Sequence, residues 1–131
     1  MHTYVYLGGA INGCTDSECN DWRTLAIRLL SKDPSIAVIN PMDRDYRGVE
    51  DEKYIEIVES DKTDIDNSDI LLVSYDKPSV GTSMEILYAY EHNTTMPIYL
   101  FTRATTISPW LRYHVDIIFD SLESAVDHIL A

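Results

Sequence analysis

Apolar residues along this chain alternate between two rhythms, short unbroken runs and longer stretches with helical spacing. Thr3 to Leu7 reads as a first strand, ended by Gly8-Gly9. Thr15-Asp16-Ser17-Glu18 is a capping-box sequence, which satisfies the first free amides of a helix reciprocally. Trp22, Leu25, Ala26, Leu29 and Leu30 follow at helical spacing, and Asp33-Pro34 stops the run. Ile36 to Ile39 reads as a second strand, followed by a polar loop from Asn40 to Gly48. A helix from about Asp51 to Asn67 comes next, then a strand at Ile70 to Ser74. A further helix begins at about Thr82 and carries Glu85 in its first turn. Pro97 to Phe101, Ser108 to Tyr113, Val115 to Phe119 and Ser121 to Leu130 read as strand, short helix, strand and helix.

Short apolar strands alternating with helices predict a parallel sheet covered on both faces. Right-handed crossovers make it a single α/β domain over residues 1–131, with a doubly wound, five-stranded, flavodoxin-like sheet in three layers. A chain of 131 residues is long enough to bury a core of its own.

Composition removes several functions. The net charge is −12, from 10 basic and 22 acidic residues, which argues against a nucleic-acid backbone as partner. Acidity does not exclude a nucleotide, because amides and hydroxyls can hold one phosphate locally. No stretch approaches a membrane span. Met1-His2-Thr3-Tyr4-Val5-Tyr6 has no basic region or long apolar run, so the expected location is cytoplasmic. Cys14 and Cys19 form neither a metal set nor a disulfide framework, and the four histidines make no ligand pair. No metal and no cofactor are expected.

Two carboxylates stand out. Ser79-Val80-Gly81-Thr82-Ser83-Met84-Glu85 joins a strand to a helix, and in open parallel sheets such loops face the ligand. Tyr54, Val58, Asp61 and Ile65 share one stripe of their helix, placing Asp61 where an apolar residue is expected. A carboxylate there needs a partner or a role, since burying an unpaired charge is costly. Tyr6 ends the first strand, just before Gly8-Gly9-Ala10-Ile11-Asn12-Gly13. That loop lacks GxGxxG spacing, so a dinucleotide fingerprint is not present.

The segment Gly81-Thr82-Ser83-Met84-Glu85-Ile86-Leu87-Tyr88-Ala89-Tyr90 resembles the nucleophile motif of nucleoside 2-deoxyribosyltransferases. Three other segments agree in order: Tyr6-Leu7-Gly8-Gly9, Asp43-Arg44-Asp45-Tyr46-Arg47-Gly48, and Asp61 eight residues ahead of Asp69. The resemblance implies that Glu85 is the nucleophile, Asp61 the acid at the base and Tyr6 their companion. It also implies a flavodoxin-like fold and a homodimer or higher homo-oligomer with shared active sites. Gly9, Asn12, Asp45, Ser79, Gly81 and Ser108 are the expected substrate contacts.

Ser79 departs from the transferases, which place an Asp six residues before the nucleophile to grip a free 5′-hydroxyl. Pro-Ser-x-Gly-x-x-x-Glu is similar to the related nucleoside 5′-monophosphate N-glycosidases, where the Ser holds phosphate. Ser108, in Ile107-Ser108-Pro109-Trp110, matches a second phosphate-contacting Ser that the family presents from a neighbouring subunit. Asn12 stands where those hydrolases carry an Arg, leaving Arg47 or Arg112 as the cation in reserve. Asp45 replaces the usual Gln and, as an acceptor, points to amino-bearing bases. The expectation is a nucleotide N-glycosidase. A transferase is the alternative, and a non-catalytic nucleotide-binding module on the same fold is the third reading.

Overall fold

A computed structural model describes residues 1–131. Five parallel strands, β1 (Thr3–Gly9), β2 (Ile36–Ile39), β3 (Ile70–Ser74), β4 (Ile98–Phe101) and β5 (Ile117–Phe119), form one sheet in the order β2-β1-β3-β4-β5. The helices are α1 (Asp16–Leu30), α2 (Glu50–Asp66), α3 (Val80–His92), α4 (Pro109–His114) and α5 (Leu122–Leu130). This is the doubly wound, flavodoxin-like arrangement expected above.

Side chains alternate across the strands, so each strand supplies two cores. Tyr6, Leu71, Val73 and Leu100 pack with Ile65 of α2 and Ile86 and Ala89 of α3 on one face. Val5, Leu7, Leu72 and Phe101 pack with Ala26 and Leu30 of α1 and with Leu122, Ala125 and Val126 of α5 on the other. The capping box forms as read: the Thr15 hydroxyl accepts from the Glu18 amide at 3.2 Å, and Glu18 accepts from the Thr15 amide at 2.8 Å.

The chain leaves β1 toward β2 on one side and returns to β3 on the other. The strand order therefore reverses between β1 and β3, and the crevice at their carboxyl ends is the place where such sheets bind ligands. Register brings Tyr6 beside Leu71 and Gly9 beside Ser74, so the ends of both strands stand level at that crevice.

Three local expectations need correction. Gly8 and Gly9 do not end the first strand; they lie within it, paired to Val73 and Ser74. Gly9 is admitted there because a Cβ would stand 2.9 Å from the Trp22 ring. Helix α3 begins at Val80, because Ser79 takes the N-cap and its hydroxyl accepts from the Thr82 amide at 3.2 Å. Glu85 consequently belongs to the second turn, where the helix-terminal field is weaker. The stripe on α2 is buried only at Ile65; Tyr54 and Val58 face outward, at 62% and 46% exposure.

Candidate active site

The crevice between β1 and β3 opens into a cleft of about 170 Å³. Tyr6 and Gly9 come from β1, Asn12 from the loop after it, and Asp45 from the loop after β2. Asp61 comes from α2, Ser79 from the N-cap of α3, and Gly81 and Glu85 from α3 itself. Eight of the nine expected residues line this one cleft. Ser108 does not: it caps α4 by accepting from the Trp110 amide at 3.2 Å, and lines a separate hollow with Tyr75, Lys77 and Thr102.

Tyr6 is fully buried, and its hydroxyl donates to Glu85 at 2.5 Å. Strand β1 is central and rigid, so this bond fixes the carboxylate from below. Burial pushes the Glu85 carboxyl up to about 8, with the negative charge of Asp61 adding to the rise. The Tyr6 hydrogen bond and the Arg23 guanidinium oppose that rise. Burial likewise pushes Asp61 up to about 6, against the pull of Arg44. Desolvation and the charges of Glu85 and Asp61 hold the Tyr6 phenol well above its ordinary value, so it stays a donor. Both carboxyls therefore hold their protons above the usual carboxylate range, Glu85 more firmly than Asp61.

Of the two arginines in the motif around Asp45, sequence reasoning holds Arg47 in reserve as a phosphate contact and does not single out Arg44. Arg44 lies 3.6 Å from Asp61 and 2.5 Å from Asp64, and so orients the Asp61 side of the cleft. The alternation Asp43-Arg44-Asp45 carries no signal of this contact, since two acids already flank Arg44 in the chain. Arg47 grips both oxygens of Asp45, at 2.9 Å through Nε and 2.7 Å through Nη2, and reaches Asp16 at 3.0 Å. Asp45 is thus an acceptor already engaged by Arg47, with lone pairs left toward the cleft. Arg47 lines the cleft, whereas Arg112 sits on α4 away from it.

Ser79 is engaged throughout. Its hydroxyl donates to Thr82 Oγ1 at 2.9 Å while accepting from the Thr82 amide. Its carbonyl accepts from the Ser83 hydroxyl at 2.7 Å, and its amide donates to the Tyr75 hydroxyl at 3.2 Å. Beside it, a Cβ on Gly81 would meet nothing within 4 Å, which leaves the first turn of α3 open to the cleft.

A doubly wound α/β domain with two raised carboxyls at its switch point defines a class: a small-molecule site of flavodoxin-like architecture, equipped with acid–base groups. Within that class, the chain belongs to the nucleoside 2-deoxyribosyltransferase-like family, whose model matches residues 2–103. No curated protein sequence matches the chain. Among solved structures it is similar to a 2-deoxyribosyltransferase from the psychrotolerant bacterium Bacillus psychrosaccharolyticus, with a TM-score of 0.73 at 16% identity over 95% of this chain and 91% of that one. A conserved protein from Enterococcus faecalis superposes with the same TM-score, 0.73, at 16% identity over 99% and 98% of the two chains. An orphan response regulator of H. pylori shares the architecture more loosely, with a TM-score of 0.52 at 16% identity over 98% and 93%. At these identities the superpositions establish the fold alone. No helix is long and apolar enough to cross a membrane.

Proposed function

We propose that the protein cleaves the N-glycosidic bond of a (deoxy)nucleoside 5′-monophosphate through a covalent sugar ester on Glu85. The observation that carries this reading is the Tyr6–Glu85 hydrogen bond at the floor of a cleft that also holds Asp61. Glycosidic cleavage develops positive charge at C1′ and negative charge on the departing base. In the first step a Glu85 oxygen bonds to C1′ as the C1′–N bond breaks, and Asp61 delivers its proton to the base. In the second, water bonds to C1′, its proton passes to Asp61, and the Glu85 carboxylate is released.

The two raised carboxyls suit this division of labour. Before substrate binds, the proton stays on Glu85, raised to about 8, rather than on Asp61, raised to about 6, so this division of labour requires the proton to pass to Asp61 when substrate binds. The open first turn of α3, with Ser79 at its cap, and Arg47 on the cleft lining support a 5′-phosphate as the ligand there, with Arg47 released from Asp45 or Asp16 on binding. A transferase, moving deoxyribose between bases, is the second reading, favoured by the family and by the name of the Bacillus enzyme. A non-catalytic binder is disfavoured, because recognition alone has no need of two converging acids.

The working unit in this reading is a homo-oligomer, at least a pair of copies, in the cytoplasm. Val80, Met84, Leu87 and Tyr90 form one outward stripe of α3, with Val80 79% and Met84 67% exposed. Val58 of α2 and Trp110 of α4 flank it, and Asp61, Gly81 and Glu85 line both this groove and the cleft. An apolar face of that extent marks an interaction surface. The cleft is smaller than the roughly 300–1,000 Å³ of complete ligand pockets, so it needs another wall. Ser108 lies outside the cleft of its own chain, which supports a role for it in a partner's.

Incubation with each nucleoside and each 5′-monophosphate tests the reading directly. Free base released from monophosphates without an acceptor is the expected result. Release only when a second base is present would establish transfer instead. Glu85→Ala should lower turnover by orders of magnitude in a folded protein, and near-normal release would exclude the covalent route.

A further inference from the structure

Arg23 is the largest fully buried side chain of the protein and its one buried charged residue, at 1% exposure. No carboxylate accompanies it. Its Nη1 donates to the Cys19 carbonyl at 2.7 Å, its Nε and Nη2 to the Leu7 carbonyl at 3.4 and 3.3 Å, and Nη2 also to the Gly9 carbonyl at 3.1 Å. The guanidinium lies 4.7 Å from the Trp22 ring centroid. A permanent charge caged by carbonyls is a costly way to tie down a strand end, because neutral donors would make the same bonds without desolvating an ion.

One of the three carbonyls it holds, that of Cys19, belongs to α1. The other two, those of Leu7 and Gly9, belong to the carboxyl end of β1, one and three residues beyond Tyr6, and Gly9 lines the cleft. On the other side of that strand end stands Glu85, which has no ion-pair partner of its own. Arg44 is occupied by Asp64 and Asp61, and Arg47 by Asp45 and Asp16. We propose that Arg23 is a positioning residue that acts electrostatically, fixing the end of β1 and supplying, through the strand, the buried positive charge that eases ionisation of Glu85 beside Asp61. The influence is reciprocal. Arg23 draws the Glu85 carboxyl down, while burial draws the Arg23 guanidinium down and Tyr6 and Glu85 lift it. The other groups facing Glu85 are Tyr6 from β1, Asp61 and Asp64 from α2 and Arg44 from the loop after β2, with Asp45, Arg47 and Glu50 on the cleft rim.

The catalytic consequence rests on the proposed function, but the charge itself is measurable without turnover. Carboxyl ¹³C NMR follows the Glu85 titration in the wild type, in Arg23→Gln and in Arg23→Lys, and again with each in an Asp61→Asn background to remove the neighbouring charge. Arg23→Gln should raise the Glu85 midpoint by about one pH unit, and Arg23→Lys should return most of it. An unmoved midpoint in the Gln variant, or equal movement in Gln and Lys, would overturn the proposal. A second measurement needs no change at Arg23: its Nε resonance in the wild-type protein should titrate with Glu85, and that titration should vanish in Glu85→Gln. Persistence in Glu85→Gln would equally overturn it. If the NMR midpoint moves while the acid limb of kcat/KM for base release does not, the Arg23 assignment stands and the nucleophile reading of Glu85 falls.

Discussion

Replacing Glu85 by glutamine should stabilise the protein at neutral and alkaline pH, and should do so only there. The folded carboxyl holds its proton up to about 8, against an ordinary value of 4.5. Between those values the folded state binds a proton that the unfolded state has released. Stability contributed by this residue therefore falls as pH rises through that window, and does not change below it. Displacing a midpoint by one pH unit is worth about 1.4 kcal/mol. Glu85 keeps some contact with solvent, and part of the rise comes from the charge of Asp61, so the realised penalty is smaller than the full product, on the order of 2 kcal/mol at pH 8. Glutamine has the same shape and still accepts from Tyr6, but carries no charge. For a chain of this length such a gain raises Tm by roughly 6–10 °C. Thermal unfolding followed by circular dichroism, for both proteins at half-unit steps from pH 4 to 8.5, reads the difference. The curves should coincide near pH 4 and diverge upward for Glu85→Gln. A constant offset, or a variant less stable at pH 8, would refute the claim that burial resists the charge on Glu85.

Other substitutions address the remaining roles. Asp61→Asn should slow the release of ordinary bases at least tenfold more than release of a leaving group that needs no proton; equal slowing would assign Asp61 a positional role. Ser79→Asp keeps the N-cap, since Asp caps as well as Ser, so folding is preserved. The new charge should depress kcat/KM for a monophosphate relative to its nucleoside tenfold or more, and an unchanged ratio would return the transferase to first place. Met84→Lys places a charge in the outward stripe of α3 and should shift the protein toward monomer in sedimentation velocity, with loss of activity at low concentration. A variant with wild-type mass would show that this face is not the contact.

Strand positions are legible in the sequence because each is a short apolar run bounded by polar or turn residues, and parallel pairing buries both faces of such runs. Glu85 and Asp61 are legible for opposite reasons, one from a strand–loop–helix junction and the other as a charge on an apolar stripe. That stripe faces outward over much of its length, because periodicity reports amphipathicity and not what lies opposite. The same logic applies to Arg23. Cys19, Arg23, Ala26 and Leu30 are spaced by four, three and four residues, and the other three are fully buried. The more obvious apolar set, through Trp22 and Leu25, lies a fraction of a turn away and masks it. The pairing of Asp45 with Arg47 is not legible, since adjacent opposite charges in a loop turn toward each other or toward a ligand according to backbone geometry. The start of α3 lies two residues earlier than its pattern indicates because Ser79 outcompetes Thr82 as the cap.

The packing at Gly9 limits how this protein can diverge. Any side chain there would drive into Trp22, whose ring meets Phe101 edge-on at 5.5 Å and carries Arg23 against it. A single methyl at the floor of the cleft would therefore be felt in α1 and β4, on the face of the sheet opposite Tyr6. Specificity in this chain can drift freely in the loops after β1 and β2. At Gly9 it can change only together with the back of the fold, so a laboratory search for new substrates that randomises the cleft lining should recover glycine at this position unless Trp22 is varied with it.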